Sequence, residues 1–98
     1  YDMKEYKASI VAINNSLKVY ANSKYREEMM FLKLNSLFKY AELSMRDKQK
    51  TRYQDTLDDY YSFMEEYPES QYIKDVKDIY QKTDKYLKAA IPESEIIN

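Results

Sequence analysis

The sequence predicts an all-α fold of stacked antiparallel helix hairpins, a right-handed α-solenoid segment of two repeats and about four helices. One pattern occurs twice, offset by 47 residues (Tyr6 to Tyr53). Tyr6-x-x-Ser9-Ile10 with Leu17-x-x-Tyr20-Ala21-x-Ser23-x-Tyr25 returns as Tyr53-x-x-Thr56-Leu57 with Met64-x-x-Tyr67-Pro68-x-Ser70-x-Tyr72. The match runs on, Met29 and Leu32 corresponding to Val76 and Ile79. Repetition at this scale marks stacked helical units, which bind macromolecules along their surface more often than they do chemistry. Within each unit, apolar residues recur at spacings of three and four, the period of an amphipathic helix.

The first helix opens near Met3, with Asp2-x-x-Glu5 as a capping box. Met3, Tyr6, Ile10, Ile13, Leu17 and Tyr20 form its buried stripe, and Ala8, Ala12 and Val19 form a second face of small side chains. Ser23 is the expected cap of a second helix over about 24–45, with Glu27 and Glu28 favouring its N-terminal dipole. That helix carries two stripes: a wide one of Met30, Phe31, Leu34, Leu37, Phe38, Ala41 and Met45, and a narrow one of Met29, Leu32, Tyr40 and Leu43. Two apolar sides place it in the centre of the stack. Arg46-Asp47-Lys48-Gln49-Lys50 reads as the connection between hairpins, and Thr51-x-x-Gln54 as the capping box of the third helix, which has room to begin a few residues earlier. Tyr53, Leu57, Tyr60, Tyr61, Met64 and Tyr67 form its stripe; Pro68 ends it and Ser70 caps the fourth helix, which runs to about Leu87. The two hairpins therefore occupy about 3–45 and 49–88, and residues 89–98, with Pro92, read as a loose tail.

Composition removes whole classes of function. Hydrophobic residues make up 44% and charged residues 34%, the balance of a water-soluble helical domain, not of a disordered one. With no Cys and no His, thiol, imidazole and zinc-ligand chemistry are absent. With no Gly, the phosphate-cradling loops of nucleotide-binding folds and the calcium loop of an EF-hand are excluded. No catalytic residue, metal ligand or cofactor site is predicted. No apolar run approaches the roughly 20 residues of a membrane span. Two units are fewer than an array usually needs, and the chain opens on Tyr1, so it reads as part of a longer array.

Net charge is −1, which does not indicate nucleic-acid binding. Residues 1–50 hold 10 basic and 6 acidic side chains, residues 51–98 hold 6 and 11, an asymmetry able to orient a partner. Two groups are candidates for partner contact: Asp55, Asp59, Ser62 and Glu66 on one face of the third helix, and the cations Arg46, Lys48, Lys50 and Arg52. Each also fits a simple solvated surface. Of the twelve tyrosines, helical spacing assigns Tyr6, Tyr20, Tyr53, Tyr60, Tyr67 and Tyr80 to packing and leaves Tyr1, Tyr25, Tyr72 and Tyr86 for exposed contacts.

The second unit, Tyr53-x-x-Thr56-Leu57-x-x-Tyr60-x-x-Phe63-x-x-x-Tyr67-Pro68-x-Ser70-x-Tyr72, resembles a tetratricopeptide repeat (TPR). Thr56 and Ser9 stand where that repeat prefers Ala, and Ala21 where it prefers Pro. The chain is similar, over about residues 6–88, to the C-terminal part of the BamD/YfiO-type outer-membrane assembly lipoproteins. That likeness rests on Tyr20-Ala21-Asn22-Ser23-Lys24-Tyr25-Arg26-Glu27-Glu28, Lys39-Tyr40-Ala41-Glu42-Leu43-Ser44, Arg52-Tyr53 and Glu66-Tyr67-Pro68-Glu69-Ser70-Gln71-Tyr72. It implies a non-catalytic scaffold on the periplasmic side of the outer membrane of a Gram-negative bacterium. The implied partner is a POTRA domain of the barrel insertase, with unfolded barrel substrates as a second. Membrane attachment would come only through a lipid anchor outside these residues. Tyr6, Tyr20, Ser23, Tyr53, Tyr67, Pro68 and Ser70 are then the structural residues of the repeat. A TPR adaptor or chaperone for another envelope or cytosolic protein is the alternative on the same fold; an enzyme would have to work with carboxylates, Lys or Tyr alone.

Overall fold

A computed structural model describes residues 3–90 of the chain. Four helices follow one another: α1 (Met3–Val19), α2 (Arg26–Leu43), α3 (Arg46–Glu66) and α4 (Ile73–Ala90), with no strand among the described residues. Successive helices pack as antiparallel neighbours; α2 also packs on α4, while the backbones of α1 and α3 stay apart. This is the predicted all-α arrangement of TPR-like helix pairs, with α2 at its centre. Asp2, Tyr1 and residues 91–98 lie outside the described residues.

The core lies where α2, α3 and α4 meet. Met30, Leu34, Phe38 and Ala41 from α2 join Tyr53 and Phe63 from α3 and Val76, Ile79 and Leu87 from α4. Phe63, Leu34 and Val76 are fully buried, and complete burial of one such side chain favours folding by about 1.5–3 kcal/mol. The aromatic rings interlock across elements: Phe31 stacks on Tyr72 and Tyr60 on Tyr80, each at 4.5 Å, and Tyr53 meets Tyr86 at 4.3 Å with the rings tilted by 31°. Helix α1 holds no fully buried residue; it lays Met3, Tyr6, Ile10, Ile13 and Leu17 half-buried, leaving Ala8, Ala12 and Val19 exposed as expected.

Several burial expectations are corrected. Tyr20, placed on the stripe of α1, follows the helix and is 60% exposed, and Tyr61 is 55% exposed. Tyr72 and Tyr86, expected to be free for contacts, pack against the core instead. The narrow stripe of α2 does not form a second buried face, since Leu32 and Leu43 are exposed.

The connection between hairpins also differs. It consists of Ser44 and Met45 alone, and Arg46–Lys50 is the start of α3, not a loop. Polarity suggested a loop, but nothing in Arg-Asp-Lys-Gln-Lys breaks a helix. The turn needs no glycine because Ser44 (φ −75, ψ 156) and Met45 (φ −64, ψ 149) are extended, a conformation open to any residue. Gln49, one turn into α3, donates from Nε2 to the carbonyls of Ala41 and Glu42 at 3.2 Å, satisfying the C-terminal end of α2. Tyr86 donates its hydroxyl hydrogen to Gln49 Oε1 at 3.1 Å. Thr51 is exposed inside the helix and caps nothing.

The two serine turns repeat one another atom by atom. Ser23 N–H donates to Tyr20 O and Ser70 N–H to Tyr67 O; Tyr25 and Tyr72 N–H donate to the serine Oγ two residues back, at 3.1 and 3.0 Å. Both serines therefore close the turn that leads into α2 and α4; the N-cap of α2 is Tyr25, not the expected Ser23, and no side chain caps it, because the chain makes one more turn after Ser23 before the helix starts at Arg26. Ser70 does more: it is buried, and its hydroxyl donates to Glu27 Oε2 at 2.6 Å, tying the turn to α2. Substituting Ser70→Ala is expected to destabilise the chain by about 1–2 kcal/mol and Ser23→Ala by about 0.5 kcal/mol. Urea denaturation of both variants checks the order; a larger loss at Ser23 contradicts it.

Candidate interaction surface

The carboxylate face of α3 divides into residues held within the chain and residues left free. Glu66 accepts from Arg26 Nε on both oxygens, at 3.0 and 3.1 Å, joining the C-terminal end of α3 to the start of α2. Asp59 pairs with Lys33 Nζ at 3.2 Å with its side chain only 11% exposed. Asp55 and Ser62 are exposed, with no hydrogen bond or ion pair among the described residues. Asp58 and Glu65 are likewise exposed, with no hydrogen bond or ion pair among the described residues, and extend this ridge.

The basic group divides in the same way. Arg52 is half-buried: its guanidinium lies 4.3 Å from the Tyr40 ring centroid and Nη1 donates to Ser44 Oγ at 2.6 Å. Its role is to clamp the α2–α3 turn, and the same Ser44 hydroxyl donates to Tyr40 O at 2.6 Å. Arg46, Lys48 and Lys50 are exposed on the first turns of α3. Arg46 and Lys50 border a shallow depression with Asp47, Tyr86 and Ala89.

The sequence did not disclose the cleft between α1 and α3. Lys7, Ile10 and Val11 line one side and Arg52 and Asp55 the other, over a floor of Leu37 and Tyr40 from α2. It continues through Ile10, Leu37 and Asp55 toward Asn14, Lys33, Asp58, Asp59 and Ser62. Leu37 and Tyr40 had been assigned to different stripes of α2, and only the separation of α1 from α3 brings them onto one floor. Among the described residues no cluster of three or more acidic side chains can hold a metal ion. No described helix is long and apolar enough to cross a membrane.

Burial is the strongest influence on Asp59 and raises its pKa; Lys33, by its charge and hydrogen bond, pulls it down, and the net direction is upward. A carboxyl whose folded-state pKa exceeds its unfolded value contributes stability that is complete below the unfolded pKa and is lost as pH rises through the folded one. Ionised Asp59 is thus less favourable to the fold than protonated Asp59. The stability of the natural chain relative to Asp59→Asn is expected to rise as pH falls from about 7 toward the ordinary carboxylate range near about 4. Urea titrations of both chains across that range check this, and a relative fall contradicts it.

Comparison with curated proteins and with solved structures gave no match. The family model described as YfiO, outer membrane lipoprotein, matches residues 1–96, the whole of the described helical stack. This chain therefore belongs to the YfiO family of outer membrane lipoproteins, the BamD-like, non-catalytic factors of outer-membrane protein assembly.

Proposed function

We propose that the chain is an interaction scaffold on the periplasmic side of the outer membrane, docking on a POTRA domain of the barrel insertase through the outward ridge of α3. Family membership supports the assembly role. The observation that carries the docking face is the division of polar residues on α3: Asp59, Glu66 and Arg52 are engaged inside the chain, whereas Asp55 and Ser62, exposed along the α3 side of the cleft, are uncommitted. Exposed carboxylates of this kind orient a charged partner and set its rate of encounter. Arg46, Lys48 and Lys50, farther along the same helix, offer the opposite charge and fix the polarity of docking. Attachment to the membrane itself is by a lipid anchor outside these residues.

A second reading has a specific observation in its favour. The α1–α3 cleft, floored by Leu37 and Tyr40, suits an extended segment such as an unfolded barrel substrate or the client of an adaptor or chaperone.

Purification of the tagged protein from solubilised envelope of its native host tests both readings. The insertase is expected to co-purify in stable proportion. An Asp55→Lys, Ser62→Arg variant is expected to lower its recovery about tenfold with helicity unchanged. Equal recovery with the variant overturns the docking face. Capture of an extended client in place of the insertase, lost on Val11→Asp, establishes the second reading.

A further inference from the structure

The turn between α2 and α3 holds two large apolar side chains in solvent. Leu43 is 50% and Met45 70% exposed, on either side of the buried Ser44. The polar groups of the turn are already satisfied by Gln49 and Arg52. The helices gather cations around this tip. Met3 Sδ lies 3.9 Å from Ser44 Oγ, which brings the start of α1, with Lys4, to the turn. Tyr86 and Ala89 border Arg46 and Lys50, which brings the last turns of α4, with Lys85 and Lys88, to its other side. Lys4, Arg46, Lys48, Lys50 and Lys85 are exposed, with no ion pair among the described residues. Within residues 42–50 the carboxylates are Glu42, paired with Lys39 at 3.4 Å, and Asp47. The other end of the helices holds Glu27, Glu28, Glu65, Glu66 and Glu69 beside Lys24 and Lys74. Antiparallel packing thus turns the charge asymmetry of the sequence into a basic tip with an apolar apex.

We propose that the α2–α3 tip rests on an anionic phospholipid surface, Leu43 and Met45 entering the headgroup boundary and the surrounding cations meeting lipid phosphates. The proposal rests on the family's place at the outer membrane and is independent of the docking face on α3. Exposed apolar side chains rimmed by polar groups mark a contact surface. Charge complementarity selects the occupant, since free ammonium and guanidinium groups on several helices suit a surface that is anionic throughout. Shape agrees with it. A two-residue tip enters a lipid interface without a fitted pocket, and the Lys and Arg stems lie along the apolar boundary while their charged heads stay at the phosphates. Apolar insertion and attraction to anionic lipid act together, and neither two side chains nor a few cations suffice alone. Attachment stays with the lipid anchor, and the tip sets orientation. With the basic end against the lipid, like-charge repulsion holds Glu28, Glu65 and Glu69 away from it.

Vesicle binding by the 98-residue chain tests this. The chain has no Trp, so Met45→Trp places a lone indole at the tip. Its fluorescence is expected to shift to the blue with vesicles of phosphatidylethanolamine and phosphatidylglycerol and to stay unchanged with phosphatidylcholine alone. Lys48→Glu with Lys50→Glu is expected to lower partition to the anionic vesicles by more than about tenfold, each cation near the surface contributing about fivefold. Leu43→Ser with Met45→Ser is expected to lower it severalfold, and Lys24→Glu with Lys74→Glu, at the other end, to leave it nearly unchanged. An indole that ignores anionic vesicles overturns the proposal. So does full partition of the Leu43 and Met45 variant, which makes the binding electrostatic adsorption alone, or an equal loss from the Lys24 and Lys74 variant. A blue shift given by the purified insertase and not by vesicles makes the tip a protein contact and overturns it as well. Far-ultraviolet circular dichroism establishes that each variant keeps its helicity. Asp55 and Ser62 are unaltered in all of them, so failure here is read separately from failure of the α3 docking face.

Discussion

The structure depends on one buried surface, the side of α2 that faces α3 and α4. Leu34, Phe38 and Ala41 are buried in one cluster with Tyr53, Phe63 and Val76 of the other hairpin, with Leu17 of α1 packed against it. Neither hairpin encloses a core alone. Helix α1, although joined to α2 by sequence repeat and by a short turn, contributes no fully buried side chain. The unit that repeats in sequence is therefore not the unit that buries apolar surface, the usual condition of stacked repeats, where interfaces between units supply much of the stability.

Polar contacts then fix how the buried surface is presented. At one end of the α2–α3 interface Arg26 grips Glu66 and Glu27 accepts from Ser70; at the other, Gln49 and Arg52 close the turn around Ser44. Between them Lys33 reaches Asp59 across the interface. These contacts consume Asp59, Glu66 and Arg52, three of the seven charged side chains that would otherwise be taken for a binding surface. What remains outward is the ridge of Asp55, Asp58, Ser62 and Glu65, the cations at the start of α3, and the cleft under α1. Membership in a family of non-catalytic assembly lipoproteins accords with surfaces that hold partners.

The fold was legible because helical spacing and the 47-residue offset (Tyr6 to Tyr53) are both properties of the sequence alone. Residue type and position point to Ser23 and Ser70 as polar turn residues, and the structure gives both the same hydrogen bond to the N–H two residues on, although the N-cap of α2 is Tyr25 and not Ser23. The errors share a cause, which is tertiary direction. Phe63 was omitted from the α3 stripe and proves fully buried, because α3 packs between α2 and α4 and its buried arc is wider than a single amphipathic stripe, turned away from Tyr61. Asp59 looked like a neighbour of Asp55, yet it turns toward Lys33, 26 positions earlier (59 less 33), for which no local pattern exists. The polarity of Arg46–Lys50 suggests a loop but does not break a helix, and the two-residue turn at Ser44 and Met45 carries no glycine or proline to announce it.

Native-state hydrogen exchange of the whole chain tests the central claim most directly. If the shared surface of α2 governs the fold, the slowest amides of α2, α3 and α4 exchange with one common opening free energy, and those of α1 exchange from a lower one. If instead α1 and α2 open together at one free energy while α3 and α4 open together at another, each hairpin is its own cooperative unit and the account is wrong.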